Sequence, residues 1–283
     1  MKSVYYYLSV LIIFLSACHT NKSELETIKV AQFGDVFIYI PLYLANTKGF
    51  FKEEGLKVDL INTGGDDKTY AAVIGGSALF GIADPTFVAI AKEQGIDGCV
   101  IGSIVNSVPF WALTKNPNVP QITNAAMFAP STAYTVQTEM FKEANLPTNI
   151  RQGAFGTLLP MLDTGNADIA LELEPNVSIA VANGAKVVYS FADKYPDFTF
   201  TTSKKTIDEK PEIVQHFINA ITKAEKFAHE YPDSAAYYMA ELYPDVNKNI
   251  IAQAIKRMVD SNTLPQNAVI SPEAWKQAVA LRH

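Results

Sequence analysis

Residues 75–85 read GGSALFGIADP and residues 164–175 read TGNADIALELEP. Both follow one plan: a helix end at glycine, a small residue and alanine, a short apolar run, then an acid and proline. Apolar runs of this length bounded by turn residues are buried strands, and a proline just past the acid sits where the next helix opens. The copies differ by one residue in length, so what repeats is an architecture. Each copy puts its acid, Asp84 or Glu174, at the carboxyl end of a strand, the end at which parallel α/β sheets present ligands.

Outward from the first copy, IKVAQF (28–33), KVDLINT (57–63) and CVIGSIV (99–105) are predicted strands. PLYLANTKGFFKEEG (41–55) reads as one helix opened by Pro41 and closed at Gly55, GGDDKTYAAVIGG (64–76) turns into a second, and PTFVAIAKEQG (85–95) is a third. This strand–helix alternation predicts a mostly parallel sheet covered on both faces. After the turn-rich NPNVPQ (116–121) the scheme returns. Strands ITNAAMFA, IRQGAF, IALEL and AKVVYSF alternate with helices STAYTVQTEMFKEANL, TLLPMLDTG and EPNVSIAVANG. The tail is helical from Pro211, with Ile213, Phe217, Ala220, Ile221 and Ala224 on one apolar face. The expected fold is therefore α/β, with two lobes that are each a mainly parallel sheet flanked by helices. Lobe 1 takes residues 27–113 and 201–283, with the tail helices packed on it, and lobe 2 takes 114–200. FWALTK (110–115) and FTFTTSK (198–204) are the expected crossing strands, with pivots near Thr114 and Thr201.

The N-terminus has Lys2 ahead of an apolar run, Val4 to Leu15, that is too short to span a bilayer. That is the pattern of an export signal, here residues 1–17. Leu15-Ser16-Ala17-Cys18 resembles a bacterial lipobox, which implies cleavage before Cys18 and lipid on its sulfur and new amino end. Residues 18–26 are then a lipidated tether, and the mature chain sits outside the cytoplasmic membrane of a bacterial envelope. Formal net charge is −6 with no block of Lys/Arg, which argues against nucleic acid as a partner. Cys99 is alone in an apolar run and offers no disulfide. His19, His216, His229 and His283 are scattered without zinc spacing, so neither a metal site nor a cofactor is expected.

PLYLANTKGFFKEEGLKVDL, a Gly-Gly turn and GGSALFGIADPTFVAIAKEQG, followed by PSTAYTVQTEMFKEANL and MLDTGNADIALELEPNVSIAVANGAKVVYSFAD, resemble the solute-binding proteins of ABC importers. The branch is the one that serves nitrate, alkyl sulfonates, taurine and thiamine-pyrimidine precursors. The resemblance covers nearly the whole mature chain. It implies a type II periplasmic-binding-protein fold, a cleft that closes on ligand, and partnership as a monomer with a membrane permease and its ATPase.

Each candidate ligand residue has a competing structural reading. Asp35 and Tyr39 lie in a loop that faces the cleft in the family, where Tyr39 either stacks on a flat ligand or packs on the following helix. Gly64 and Gly65 let backbone N–H groups approach a ligand, or simply make a tight turn. Asp84 caps a helix, contacts ligand, or does both; Glu174 is a poorer cap by type, which favours ligand contact with Asn176 in support. Asn106, Phe110 and Trp111 wall a cleft or fill a core. Ser131 and Thr132 open a helix at a place where the family makes ligand contacts.

Arg151, Arg257 and Arg282 fall outside these motifs, so an Arg clamp on an anion is not expected. Two acids with aromatics nearby suit an aminopyrimidine thiamine precursor first. Taurine comes second, with its ammonium on an acid, and nitrate or plain alkyl sulfonates third. A ligand-sensing ectodomain is a further alternative. Fungal relatives that make the thiamine pyrimidine carry a cysteine cluster and an active-site histidine, and this sequence has neither, so an enzyme is not expected.

Overall fold

The computed structural model describes residues 24–107, 109–116, 125–128, 132–147, 149–154, 156–191 and 198–280. Cys18 with the expected signal, and Ser131, lie outside them. Among the described residues two five-stranded sheets form. Strands β1 (Glu26–Gln32), β2 (Leu56–Asn62), β3 (Phe80–Ala83), β4 (Gly98–Val105) and β10 (Phe198–Ser203) lie in the order β2-β1-β3-β10-β4. Strands β5 (Trp111–Thr114), β6 (Ala125–Phe128), β7 (Ile150–Gly153), β8 (Ile169–Glu172) and β9 (Lys186–Ser190) lie in the order β7-β6-β8-β5-β9. In each sheet three neighbouring strands are parallel, and the strand in fourth place is antiparallel to both its neighbours. The two copies of the sequence repeat are β3 and β8, which hold the same position in the two sheets.

Both expected crossing strands are full members of a sheet. β5 pairs with β8 and β9, and β10 pairs with β3 and β4. Thr114 and Thr201 are at most 1% exposed within these ladders, and hydrogen bonds on both sides hold such strands rigid. The chain therefore passes between sheets ahead of β5 and ahead of β10.

PLYLANTKGFFKEEG is not one helix. It is α1 (Ile40–Thr47) and α2 (Phe50–Glu53), broken at Gly49, whose φ of +87° lies in the left-handed region that glycine alone adopts freely. The other helices of the alternating region are α3 (Asp66–Ile74), α4 (Thr86–Glu93), α5 (Thr132–Glu143), α6 (Leu158–Asp163) and α7 (Asn176–Ala182). The tail supplies α8 (Lys204–Glu209), α9 (Pro211–Glu230), α10 (Pro232–Leu242), α11 (Lys248–Asp260) and α12 (Pro272–Ala280).

The apolar stripe of α9 builds the centre of lobe 1. Phe217 stacks on Phe51 at 5.4 Å and on Phe80 at 4.2 Å, and meets Phe200 edge-on at 5.0 Å. One ring thus joins α2, β3 and β10. At the surface Glu54, at the end of α2, accepts from Lys223 at 2.7 Å and Asn219 at 3.3 Å and lies 2.9 Å from the His216 ring. Partial burial pushes this carboxyl up, but those donors outweigh it and hold it down at about 2. The same helix carries an oddity. Glu225 is 0% exposed, neither carboxyl oxygen has a hydrogen-bond partner, and burial pushes it up to about 9. α10 packs on α1, and α11 packs on α10 and also on α7 of the second lobe. The segment after α11 seals the edge of β4, where the N–H groups of Ser103 and Asn106 donate to the carbonyls of Ala268 and Thr263 at 2.9 and 2.8 Å.

Candidate ligand-binding site

The strands of each parallel set end at one rim, and the turns that follow carry most of the candidate residues. In lobe 1 the rim is built on Gln32, the buried last residue of β1. Its Nε2 donates to Asn62 Oδ1 at 2.8 Å and to Asp35 Oδ1 at 3.0 Å, while Tyr43 Oη donates to its Oε1 at 3.2 Å. Burial raises the Tyr43 phenol well above its ordinary value, so it stays a neutral donor. Asp35 is thereby fixed at the surface, beside a cavity of about 220 Å³ lined by Tyr43, Asn46, Leu60 and Tyr243. Tyr39 is 1% exposed and its ring meets Phe198 edge-on at 5.6 Å. It packs in the core, and no ring face is open for a flat ligand to stack on.

Gly64 fits the tight-turn alternative. Its φ is +75°, and its N–H donates to the Phe33 carbonyl at 2.8 Å, so that donor closes the turn and is not offered outward. Gly65 is extended and starts α3. Asp84 is a helix cap, because its Oδ1 accepts the Thr86 N–H at 2.9 Å and the Thr86 hydroxyl at 2.6 Å. Asn106 is half-buried, with its N–H tied to the tail. Phe110 and Trp111 are 4% and 2% exposed core residues beside and within β5. The burial of both rings agrees with the core-packing alternative. Thr132 begins α5.

In lobe 2 the site turns on two acids. Glu174 repeats the role of Asp84 one residue further on, and its longer side chain reaches one turn into α7. Oε2 accepts the Ser178 N–H at 3.0 Å, and Oε1 accepts the Ser178 hydroxyl at 3.0 Å and Arg257 Nε at 2.7 Å. Burial pushes this carboxyl up against the pull of Ser178 and Arg257. Glu174 is thus spent within the protein, against the expectation of ligand contact. Arg257, which lies outside the sequence motifs, reaches this region from α11.

Glu172, which the sequence reading passed over, is the acid left with unmet capacity. It is the last residue of β8, 0% exposed, where the equivalent strand end in lobe 1 is Ala83. Asn176 Nδ2 donates to Oε2 at 3.1 Å, and Oε1 has no hydrogen-bond partner. Burial pushes its carboxyl up to about 7 against the pull of Asn176 and nearby backbone N–H groups, so at neutral pH it both donates and accepts. The amide of Asn176, expected to touch ligand directly, is engaged in holding Glu172. The signal was present in LELEP. LELEP holds two acids, and only Glu172 belongs to β8, while Glu174 lies in the turn that follows. Arg257 lies 83 residues from Glu174, a separation at which sequence carries no local signal.

A cavity of about 700 Å³ lies away from these rims, between β4, α4, α9 and Trp275. It is lined mainly by apolar side chains and places no acid.

Two sheets of one strand order, joined by two crossings, define a two-lobe α/β protein of the periplasmic-binding-protein type II fold. The model of the NMT1/THI5-like family matches residues 37–124 and 189–235 of the chain. It is 24% identical over 291 aligned positions to the Bacillus subtilis (strain 168) protein YtlA, named as a binding protein, with 95% of this chain and 86% of YtlA covered. Its fold is similar to that of the periplasmic aliphatic sulphonate-binding protein SsuA of Escherichia coli. That match has a TM-score of 0.70 at 15% identity, covering 91% of this chain and 85% of the other. The periplasmic nitrate-binding protein NrtA of Synechocystis PCC 6803 aligns with a TM-score of 0.62 at 13% identity, covering 82% and 70%.

Proposed function

We propose that this chain is the extracytoplasmic solute-binding component of an ABC importer. It is held outside a bacterial membrane by lipid on Cys18, closes two lobes on a small polar ligand, and delivers that ligand to a permease powered by its partner ATPase. The observation that carries this reading is the pair of matched sheets, each ending in a rim of turns, in a family whose relatives are named as binding proteins. No helix among the described residues is long and apolar enough to cross a membrane, so attachment in this reading rests on the N-terminal lipid.

The first ligand reading remains an aminopyrimidine thiamine precursor, but its support moves. Asp84 and Glu174 are satisfied internally, and Glu172 takes their place as an acid with an unmet oxygen suited to an amino-heterocycle donor. A second reading, taurine or another alkyl sulfonate, is favoured by Arg257, whose Nη groups meet no protein acceptor among the described residues. The test is a thermal-shift panel on residues 19–283 with aminopyrimidines, thiamine, riboflavin, taurine, alkyl sulfonates and nitrate. A ligand at about 1,000 times its dissociation constant stabilises by about 4 kcal/mol. A shift with an aminopyrimidine that disappears in Glu172→Leu supports the first reading. A shift confined to sulfonates supports the second. No shift with any compound counts against both.

A further inference from the structure

We propose that the Arg257–Glu174 ion pair is an inter-lobe latch that biases the protein toward its closed form before any ligand arrives. The inference rests on the two-lobe binding reading above and adds a device to it. Glu174 belongs to lobe 2, in the turn between β8 and α7, and is held there by the Ser178 N–H and hydroxyl. Arg257 belongs to α11, which packs on α10, itself packed on α1 of lobe 1. The 2.7 Å bond between them therefore spans the two lobes without running along the chain.

Three features distinguish it from a surface ion pair. The Glu174 side chain is 0% exposed and that of Arg257 27%, so the pair is shielded from salt and solvent. It is the closure of a helix contact, α7 on α11, rather than two loose side chains meeting in water. The far end of α11 is also pinned to the crossing itself. Past α11, the Thr263 carbonyl accepts the Asn106 N–H at 2.8 Å and its hydroxyl accepts from Ser107 Oγ at 3.4 Å. Asn106 and Ser107 lie in the segment that leaves β4 for β5. α11 is thus a brace with one end at the pivot and its side on the moving lobe. Rotating lobe 2 outward separates Arg257 from Glu174 while leaving every other Glu174 bond in place, since both Ser178 donors travel with it.

A contact made in one conformer only shifts the equilibrium toward that conformer. The pair raises the ligand-free closed population, and losing it lowers apparent affinity by the fraction of closed form lost. Arg257→Met alone leaves Glu174 without its cation, so Glu174→Gln/Arg257→Met is the needed companion, since glutamine carries no charge and keeps a carbonyl oxygen that accepts from Ser178. Spin labels at Lys68→Cys in α3 and Lys142→Cys in α5, in a chain carrying Cys18→Ser and Cys99→Ser, report the inter-lobe distance by double electron–electron resonance without any ligand. The latch predicts that both variants shift or broaden the distribution toward longer distances than the parent. Distributions that superimpose on the parent in both variants overturn the latch and make the pair purely structural. Lobe closure itself is read separately: an aminopyrimidine or sulfonate that narrows the parent's distribution upholds the binding reading even if the latch fails.

Discussion

Replacing Glu225 by glutamine isolates the effect of one buried acid on stability. In the folded protein Glu225 has no partner and its carboxyl is raised to about 9 from an ordinary 4.5, so it stays protonated across the neutral range. In the unfolded chain it ionises. Between those two values the folded state holds about one more proton than the unfolded state, so stability falls as pH rises, by about 1.4 kcal/mol per pH unit. From pH 5.5 to 7.5 this amounts to about 2.7 kcal/mol, or roughly 5–10 °C in the melting temperature of a chain this size. Glutamine keeps the shape and cannot ionise, so Glu225→Gln loses this part of the slope. Its advantage over the parent is expected to be small at pH 5 and to grow by that amount toward pH 7.5. Glu172 and Glu174, also raised, contribute with the same sign, but they are present in both proteins and cancel in the difference. Scanning calorimetry of the two proteins at four pH values suffices. A difference that does not change with pH would refute the reasoning, because Glu225 would then ionise equally in both states.

Other substitutions probe the remaining elements. Phe217→Ala removes the ring shared by Phe51, Phe80 and Phe200 and is expected to destabilise by about 3–5 kcal/mol in denaturant titration. Gly81→Ala puts a Cβ 2.8 Å from Val73 Cγ2 and 3.0 Å from Thr69 Cγ2, which forces β3 away from α3 at about 1–3 kcal/mol; an unchanged melting temperature would show that the two elements separate freely. Glu54→Gln removes a carboxylate whose depressed value adds stability above the ordinary carboxylate range and loses it as pH falls toward 2. The variant is therefore expected to match the parent near pH 2 and fall below it at pH 6 in acid-unfolding curves. For whichever panel compound binds, affinity in the parent is expected to change through pH 7 as Glu172 titrates, and Glu172→Gln to flatten that dependence in calorimetric titration.

Periodicity and turn chemistry are enough to read the alternating strands and helices where, as at β3 and β8, a short apolar run is followed closely by an acid and Pro. The repeat in GGSALFGIADP and TGNADIALELEP located the two equivalent strands, β3 and β8. Two kinds of information were not legible. A left-handed residue inside an apolar periodic stretch leaves the pattern intact, so Gly49 was read through and α1 and α2 were joined. Partners distant in sequence leave no spacing at all. The cap formed by Asp84 is one of the two roles its place before Pro85 suggests, whereas the Glu174 bonds depend on Ser178 a turn away and on Arg257 83 residues away. Residue type leaves Tyr39 and Trp111 open between cleft and core, because their burial depends on residues far along the chain, such as Phe198 against Tyr39.

The exchange of strands has a consequence for the order in which the molecule can be made. Sheet 2 draws all five strands from residues 111–190, an unbroken piece of chain, and can close as soon as that piece exists. Sheet 1 cannot. β3 and β4 are not bonded to each other, and β10 lies between them and pairs with both, so until residues 198–203 emerge the sheet has a strand-wide gap between β3 and β4. Phe217, which fills the space beneath that gap, comes later still. A chain threaded N-terminus first through a membrane would therefore finish its inserted lobe before the lobe that begins and ends it, and its first hundred residues would wait, unpaired at one edge, for the second crossing to return.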